Sequence, residues 1–362
     1  MSPVAADWIM ATRHSFICAN AADFLPQIQR ESVDLILTSP PYPMVAMWDD
    51  LFQKLDPAIS LDTTDEALDA FAKMHAWLYG IWQSCWQCLK SGGHLVINIG
   101  DATRSINQNF QLYSNHSRIL QDCLQIGFQN LPNIIWRKQT NAPNKFMGSG
   151  MLPPGAYVTL EHEYILILRK GPRRTFTDSA SRTLRRESGY FWEERNSWFS
   201  DIWDFKGVRQ DLTGKPGRDR SAAYPLELAY RLISMFSLKQ DLVLDPFGGT
   251  CTTTRAAIAA ERNSISIELD PQLQDSSRQS ALQFRETGNA YIQSRLKRHA
   301  NFVENRQQSG KKLKYFNELH DTPVMTRQEC DLCLREIREI EPDQDAFSIQ
   351  VEYTAAGQVR AD

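Results

Sequence analysis

Asp241-Leu242-Val243-Leu244-Asp245-Pro246-Phe247-Gly248-Gly249-Thr250-Cys251-Thr252-Thr253-Thr254 opens as a short apolar, branched run and breaks at a proline and two glycines. It then feeds Arg255-Ala256-Ala257-Ile258-Ala259-Ala260, a helix-forming stretch. Strand, glycine turn and helix N-terminus in that order predict a nucleotide-type pocket at the carboxyl end of a parallel strand. Gly248 and Gly249 admit backbone conformations and a close approach that a Cβ would block. Asp245, Pro246, Phe247 and Thr250 complete the candidate binding turn, with Asp245 placed to pair with a ligand ammonium. A further strand, Ser264-Ile265-Ser266-Ile267, ends at Glu268, about twenty residues after the turn, where a carboxylate grips ribose hydroxyls. An ordinary charged strand end is the other reading of Glu268. The expected fold class is α/β with a mostly parallel sheet.

About two hundred residues earlier, Val33-Asp34-Leu35-Ile36-Leu37 reads as another buried parallel strand, and it stops at Thr38-Ser39-Pro40-Pro41-Tyr42. Each proline fixes its own φ and Pro41 holds Pro40 extended, so the carbonyls are rigid and face no competing amide donor. Such a corner suits an exocyclic amino group on a nucleobase. That nitrogen is a poor nucleophile because its lone pair is delocalised into the ring. Acceptors held against its N–H protons draw it toward tetrahedral geometry. Ser39 and the Pro40 carbonyl are the candidate acceptors, Pro41 stiffens them, and Tyr42 is an aromatic able to stack on a flipped base. In isolation the same residues also describe a strand-ending turn with one packed aromatic.

Taken in this order, TSPPY followed by DPFGGT resembles the beta class of amino-methylating DNA methyltransferases, in which the catalytic half precedes the half that binds S-adenosylmethionine. Similar stretches extend over roughly residues 14–290. Ser91-Gly92-Gly93-His94-Leu95-Val96-Ile97-Asn98-Ile99 resembles the family's glycine turn into a buried strand. Trp136-Arg137-Lys138 and residues 161–168 resemble two later strands, and residues 224–233 resemble the helix over methionine. The resemblance implies a Rossmann-like S-adenosylmethionine-dependent methyltransferase fold with permuted motif order and an inserted DNA-recognition region. It implies base flipping and direct transfer to duplex DNA, with Asp101 orienting the amino group or receiving its proton. A serine before the prolines is usual in members that modify cytosine N4, and adenine N6 is the rival target. Duplex DNA, a cognate restriction endonuclease acting on the same site and a second copy of the chain are the expected partners.

Two positions depart from the family pattern. Where the family usually carries Gly-Ser-Gly, this chain has Gly249-Thr250-Cys251, so Cys251 either faces helix packing or crowds the cofactor. Where it carries Gly-Asp, this chain has Ala19-Asn20, so Asn20 offers the cofactor's adenine an amide oxygen. These departures motivate a reading from another class, a catalytically silent DNA-binding module.

At 362 residues, 42% hydrophobic and 23% charged, the chain can bury one large core plus an appended module. Neither a signal pattern nor a membrane-length apolar run is present in the sequence, which places the expected compartment in the cytoplasm. Seven cysteines, an odd number, point to reduced thiols. Cys85 and Cys88 with Cys330 and Cys333 formally allow a zinc site, but both pairs read as helix-borne core thiols, and no metal is expected. Residues 51–70 read as a link without chemistry.

The net charge of −3 hides an uneven distribution, since residues 170–220 hold twelve Lys or Arg against eight Asp or Glu. Trp192, Trp198, Phe199, Trp203 and Phe205 lie in the same window, which predicts target recognition there. Arg173, Arg174, Arg182, Arg185 and Arg186 are the candidate DNA contacts. A solvated face over a satellite core is the alternative. Lys145, in a Gly-, Pro- and Asn-rich stretch at 141–155, either meets backbone phosphate or belongs to a surface excursion. The expected organisation is 1–169 catalytic half, 170–222 target recognition, 223–290 cofactor half and 291–362 a C-terminal extension. That extension carries a basic stretch, then an acidic helix-like run at 329–341, and it adds DNA contacts or dimerises.

Overall fold

The branched apolar runs pair into one large mixed sheet in the computed structural model, which describes residues 10–138, 147–148, 151–207 and 224–355. Its ten main strands, beside a two-residue strand at Gln129–Asn130 that pairs with β5, are β1 (Ala11–Cys18), β2 (Val33–Thr38), β3 (Leu89–Ile99), β4 (Ile134–Arg137), β5 (His162–Arg169), β6 (Ile202–Asp204), β7 (Leu242–Asp245), β8 (Asn263–Glu268), β9 (Ile337–Pro342) and β10 (Ser348–Tyr353). Across the sheet they run β6-β4-β5-β3-β2-β7-β8-β1-β10-β9. Only β5 and β10 oppose the common direction. From β2 the chain steps outward to β3, and from β7 it steps outward the other way to β8. The two central strands, in register at Leu35–Val243 and Ile36–Leu244, therefore form a topological switch point. A crevice opens at their carboxyl ends.

Helices cover both faces: α1 (Thr64–Cys88), α2 (Asn115–Ile126), α3 (Ser179–Glu187), α4 (Leu226–Phe236), α5 (Thr252–Ala259), α6 (Pro271–Leu282) and α7 (Arg285–Gln308). α1 begins at a capping box, in which Thr63 Oγ1 accepts from the Glu66 amide at 3.2 Å and Glu66 accepts from the Thr63 amide at 3.0 Å. Its Leu78, Ile81, Trp82, Cys85 and Cys88, spaced three and four apart, pack with Ile119 and Cys123 of α2 against one face of the sheet. On the other face the small residues 256–260 of α5 pack with α4, α7 and the aromatics Trp136, Trp198 and Trp203. Each large apolar side chain buried this way contributes roughly 1.5–3 kcal/mol relative to its exposed state.

Two expectations are corrected at the C-terminus. The acidic run at 329–341 is not helical: a short 3-10 turn at Arg327–Glu329 leads into β9, and Cys330 and Cys333 lie outside any α-helix. Nor is the extension a separate appendage, because β10 pairs with β1 and enlarges the main sheet. Ile349, Val351 and Tyr353 alternate with Gln350 and Glu352, the period of a half-buried strand, so apolar residues enter the core while charges face outward. Among the described residues no helix is long and apolar enough to cross a membrane, and no cluster of His, Cys, Asp or Glu forms a metal site.

Candidate active site

The two corners meet. Thr38, at the end of β2, donates through Oγ1 to Asp245 Oδ1 at 2.7 Å, at the end of β7, and both strands empty into one cavity of about 490 Å³. Its wall includes Ser39, Pro40 and Pro41 from one corner and the whole turn 245–250 from the other, with Asn20 and Glu268 from neighbouring strand ends. The volume lies within the roughly 300–1,000 Å³ of small-molecule sites.

The glycine turn is shaped by what it excludes. A Cβ on Gly248 would lie 1.9 Å from Ser266 Oγ, and Gly249 sits at φ +51°, so only glycine lets the turn hug β8. Glu268 ties the turn down, Oε2 accepting from the Gly249 amide at 2.9 Å and Oε1 from the Asp270 amide at 3.0 Å. Asp245 is 3% exposed, and it accepts from Thr38, from the Phe247 amide at 3.1 Å and from Thr253 Oγ1 at 2.5 Å. Burial pushes its carboxyl up to about 6 despite those donors. Asn20 lines the cavity as the cap of a short helix, its Oδ1 accepting from the Ala22 amide at 3.0 Å. Cys251 does not crowd the cavity. Its side chain is fully buried and donates to the Ser277 carbonyl at 3.1 Å, facing α6.

Behind Ser39 a buried polar chain crosses four adjacent strand ends. Ser39 Oγ lies 3.1 Å from the Tyr42 hydroxyl, which donates to Glu163 Oε2 at 3.1 Å. Asn98 Nδ2 donates to Tyr42 at 3.0 Å and to Glu163 Oε2 at 2.6 Å, while Lys138 Nζ pairs with Glu163 Oε1. Tyr42, expected to stack on a flipped base, is 8% exposed, holds its hydroxyl in this chain and does not line the cavity. Asp101 also lies outside that wall. Both of its oxygens contact His116 Nδ1 at 2.8 Å and Oδ1 accepts the His116 amide at 3.1 Å, which fixes the first turn of α2.

The five arginines chosen as DNA contacts are carried to the opposite edge of the sheet. β5 runs antiparallel, so the chain leaving it emerges at the amino ends of the parallel strands. There Arg174 pairs with Asp241 at 2.7 Å and Asp34 at 3.5 Å, beside the starts of β7 and β2. Arg186 pairs with Asp331 at 2.8 Å, Arg185 packs over Phe176, and Arg173 and Arg182 are carried on the same segment. Lys145 lies outside the described residues, as do 208–223, which include most of the end of the expected recognition region.

Sequence reasoning missed part of the wall. The helix Asp49–Leu55, which runs into the stretch 51–70 read as a link, contributes Asp50, Leu51 and Lys54, and Trp77 of α1 lines the cavity 6.0 Å from the Phe247 ring. Arg104 clamps that helix, donating to both Asp49 oxygens at 2.9 and 2.6 Å. The Leu51 and Leu55 spacing was the available signal. Among the described residues Asp50, Asp245, Glu268 and Asp270 line the cavity against the single cation Lys54, and no ion pair involves Asp245 or Glu268. That donor set fits a cationic ligand with a ribose and an ammonium.

Residues 33–279 match the model of the N6/N4 methyltransferase family, described as DNA methylase. Type II methyltransferase M.MthZI of Methanothermobacter thermautotrophicus is 49% identical over 328 residues, spanning 90% of this chain and 91% of its own. Type II methyltransferase M.MjaI of Methanocaldococcus jannaschii is 46% identical over 276 residues, 73% of this chain and 89% of its own. Among solved structures, a DNA modification methylase from Thermus thermophilus, in complex with S-adenosyl-L-methionine, superposes with a TM-score of 0.56 at 30% identity, over 75% of this chain and 94% of that one.

Proposed function

The chain belongs to the DNA methylase family, and from that premise we propose that it methylates the N4 amino group of cytosine at a specific site in duplex DNA. The protein is a DNA methyltransferase with S-adenosylmethionine as cofactor. When bound, the cofactor supplies a methyl group on a sulfonium sulfur. Glu268 holds the ribose hydroxyls, Asp245 pairs with the ammonium, Asn20 takes the adenine amino group, and the turn 246–250 forms the bed. Ser39 and the Pro40 carbonyl accept the N–H bonds of a flipped base and orient its lone pair toward the cofactor side of the cavity. The single observation that carries this reading is the convergence of the serine–diproline corner and the glycine turn on one acidic cavity. Cytosine rests on the serine that leads the prolines. A partner restriction endonuclease fits the Type II names of the relatives.

The test is to incubate the protein with S-adenosylmethionine and duplex DNA, hydrolyse to nucleosides and identify the product by mass spectrometry. N4-methylcytosine is the expected product. N6-methyladenine would overturn the choice of base, and cofactor binding without any methylated nucleoside would overturn transfer itself.

A further inference from the structure

Resting on the proposed transfer, we infer that Glu163 is a positioning residue that fixes the direction of the Ser39 hydroxyl, so that Ser39 presents only lone pairs to the substrate amine. Valence fixes where each hydrogen points. An ionised carboxylate only accepts, and Glu163 takes Lys138 on Oε1 and both Asn98 Nδ2 and the Tyr42 hydroxyl on Oε2. Tyr42 has one hydrogen, and Glu163 takes it. The phenol oxygen is left to accept, from Asn98 at 3.0 Å and from Ser39 at 3.1 Å. The one hydroxyl hydrogen of Ser39 then points inward to Tyr42, and its lone pairs face the cavity. Burial, and after it the Glu163 charge, pushes the Tyr42 hydroxyl well above its usual range, which keeps it a phenol able to donate.

A serine is otherwise ambivalent, since a hydroxyl that rotates can donate as readily as accept, and a donor facing an N–H repels it. The chain Ser39–Tyr42–Glu163, braced by Asn98 and Lys138, removes that freedom. Glu163→Gln breaks that chain: with the amide oxygen on Lys138, the amide nitrogen is a donor facing both Tyr42 and Asn98 Nδ2, so Tyr42 loses the acceptor that holds its hydrogen and no longer fixes that of Ser39.

E163Q is expected to lower kcat roughly 10- to 100-fold, with KM for DNA and S-adenosylmethionine binding by isothermal titration within about threefold of wild type. The double variant with Ser39→Ala should be no slower than Ser39→Ala alone, because Glu163 acts only through Ser39. Tyr42→Phe severs the link while sparing the Glu163–Lys138 pair, should reproduce the kcat loss, and carries the test if E163Q does not fold. A kcat near wild type in E163Q or Tyr42→Phe, or losses that multiply with that of Ser39→Ala, would overturn the inference. A wild-type protein that methylates no base overturns the proposed function instead.

Discussion

The two ends of the central strands β2 and β7, with β8 beside them, handle charge in opposite ways. At the amino edge the buried carboxylates have cations: Asp34 pairs with Lys90 at 2.7 Å and with Arg174, Asp241 pairs with Arg174, and Lys239 pairs with the buried Glu261. At the carboxyl edge Asp245 and Glu268 take only hydroxyl and amide donors among the described residues, although Asp245 is as buried as the others. Cancelled charge holds strand ends together. Charge left without a cation suits a cationic ligand, whereas Arg174 and Arg186 of the arginine-rich stretch near 173–186 are tied to carboxylates.

The largest expected effect breaks the carboxyl edge. Gly248→Ala sets a methyl against Ser266 Oγ and the β8 backbone, and S-adenosylmethionine binding by isothermal titration should weaken roughly a hundredfold. Binding near wild type would remove the turn from the cofactor bed.

Asp245→Asn sharpens the contrast, since removing a charge-assisted partner should weaken S-adenosylmethionine about tenfold. Because burial raises the Asp245 carboxyl to about 6 and a cationic ligand favours its ionised form, wild-type affinity should fall as pH drops below about 6, by at most tenfold per unit. Titrations of Asp245→Asn over the same range should be flat. The sign for stability is the reverse. The raised carboxyl stabilises the unliganded fold below its unfolded value, about 3.9, and that contribution is lost as pH rises through about 6.

At the amino edge, Arg174→Met should leave DNA binding and methylation within about twofold of wild type. It should lower stability by about 1 kcal/mol, since the Arg174 side chain is 40% exposed and Asp34 keeps Lys90. Thermal unfolding beside a gel-shift assay separates the two. Lost DNA binding in a folded variant would erase the distinction between the edges.

Much of this was legible in the sequence. The runs 33–38, 242–245 and 263–268 announced buried strands through branched apolar residues, and proline or glycine marked where the first two stopped. What sequence could not carry was direction. Nothing in residues 162–169 distinguishes an antiparallel strand from a parallel one, yet that choice sends the following arginines to the far edge. The acidic strand at 337–342 reads as helix because its exposed charges mask a period of two that only its partner's Ile349, Val351 and Tyr353 make plain. Tyr42 illustrates the same limit at the site, since its neighbour Ser39 is local but Asn98 and Glu163 arrive from other strands.

The pairing of β10 along β1 also covers what would otherwise be an open strand flank. A chain clipped ahead of Ile337 would bare the amides and carbonyls of residues 11–15, together with the apolar underside that Ile349, Val351 and Tyr353 now cover. Such a flank is a template for another molecule's strand. The closing hairpin of β9 and β10 is the molecule's guard against self-association along that flank.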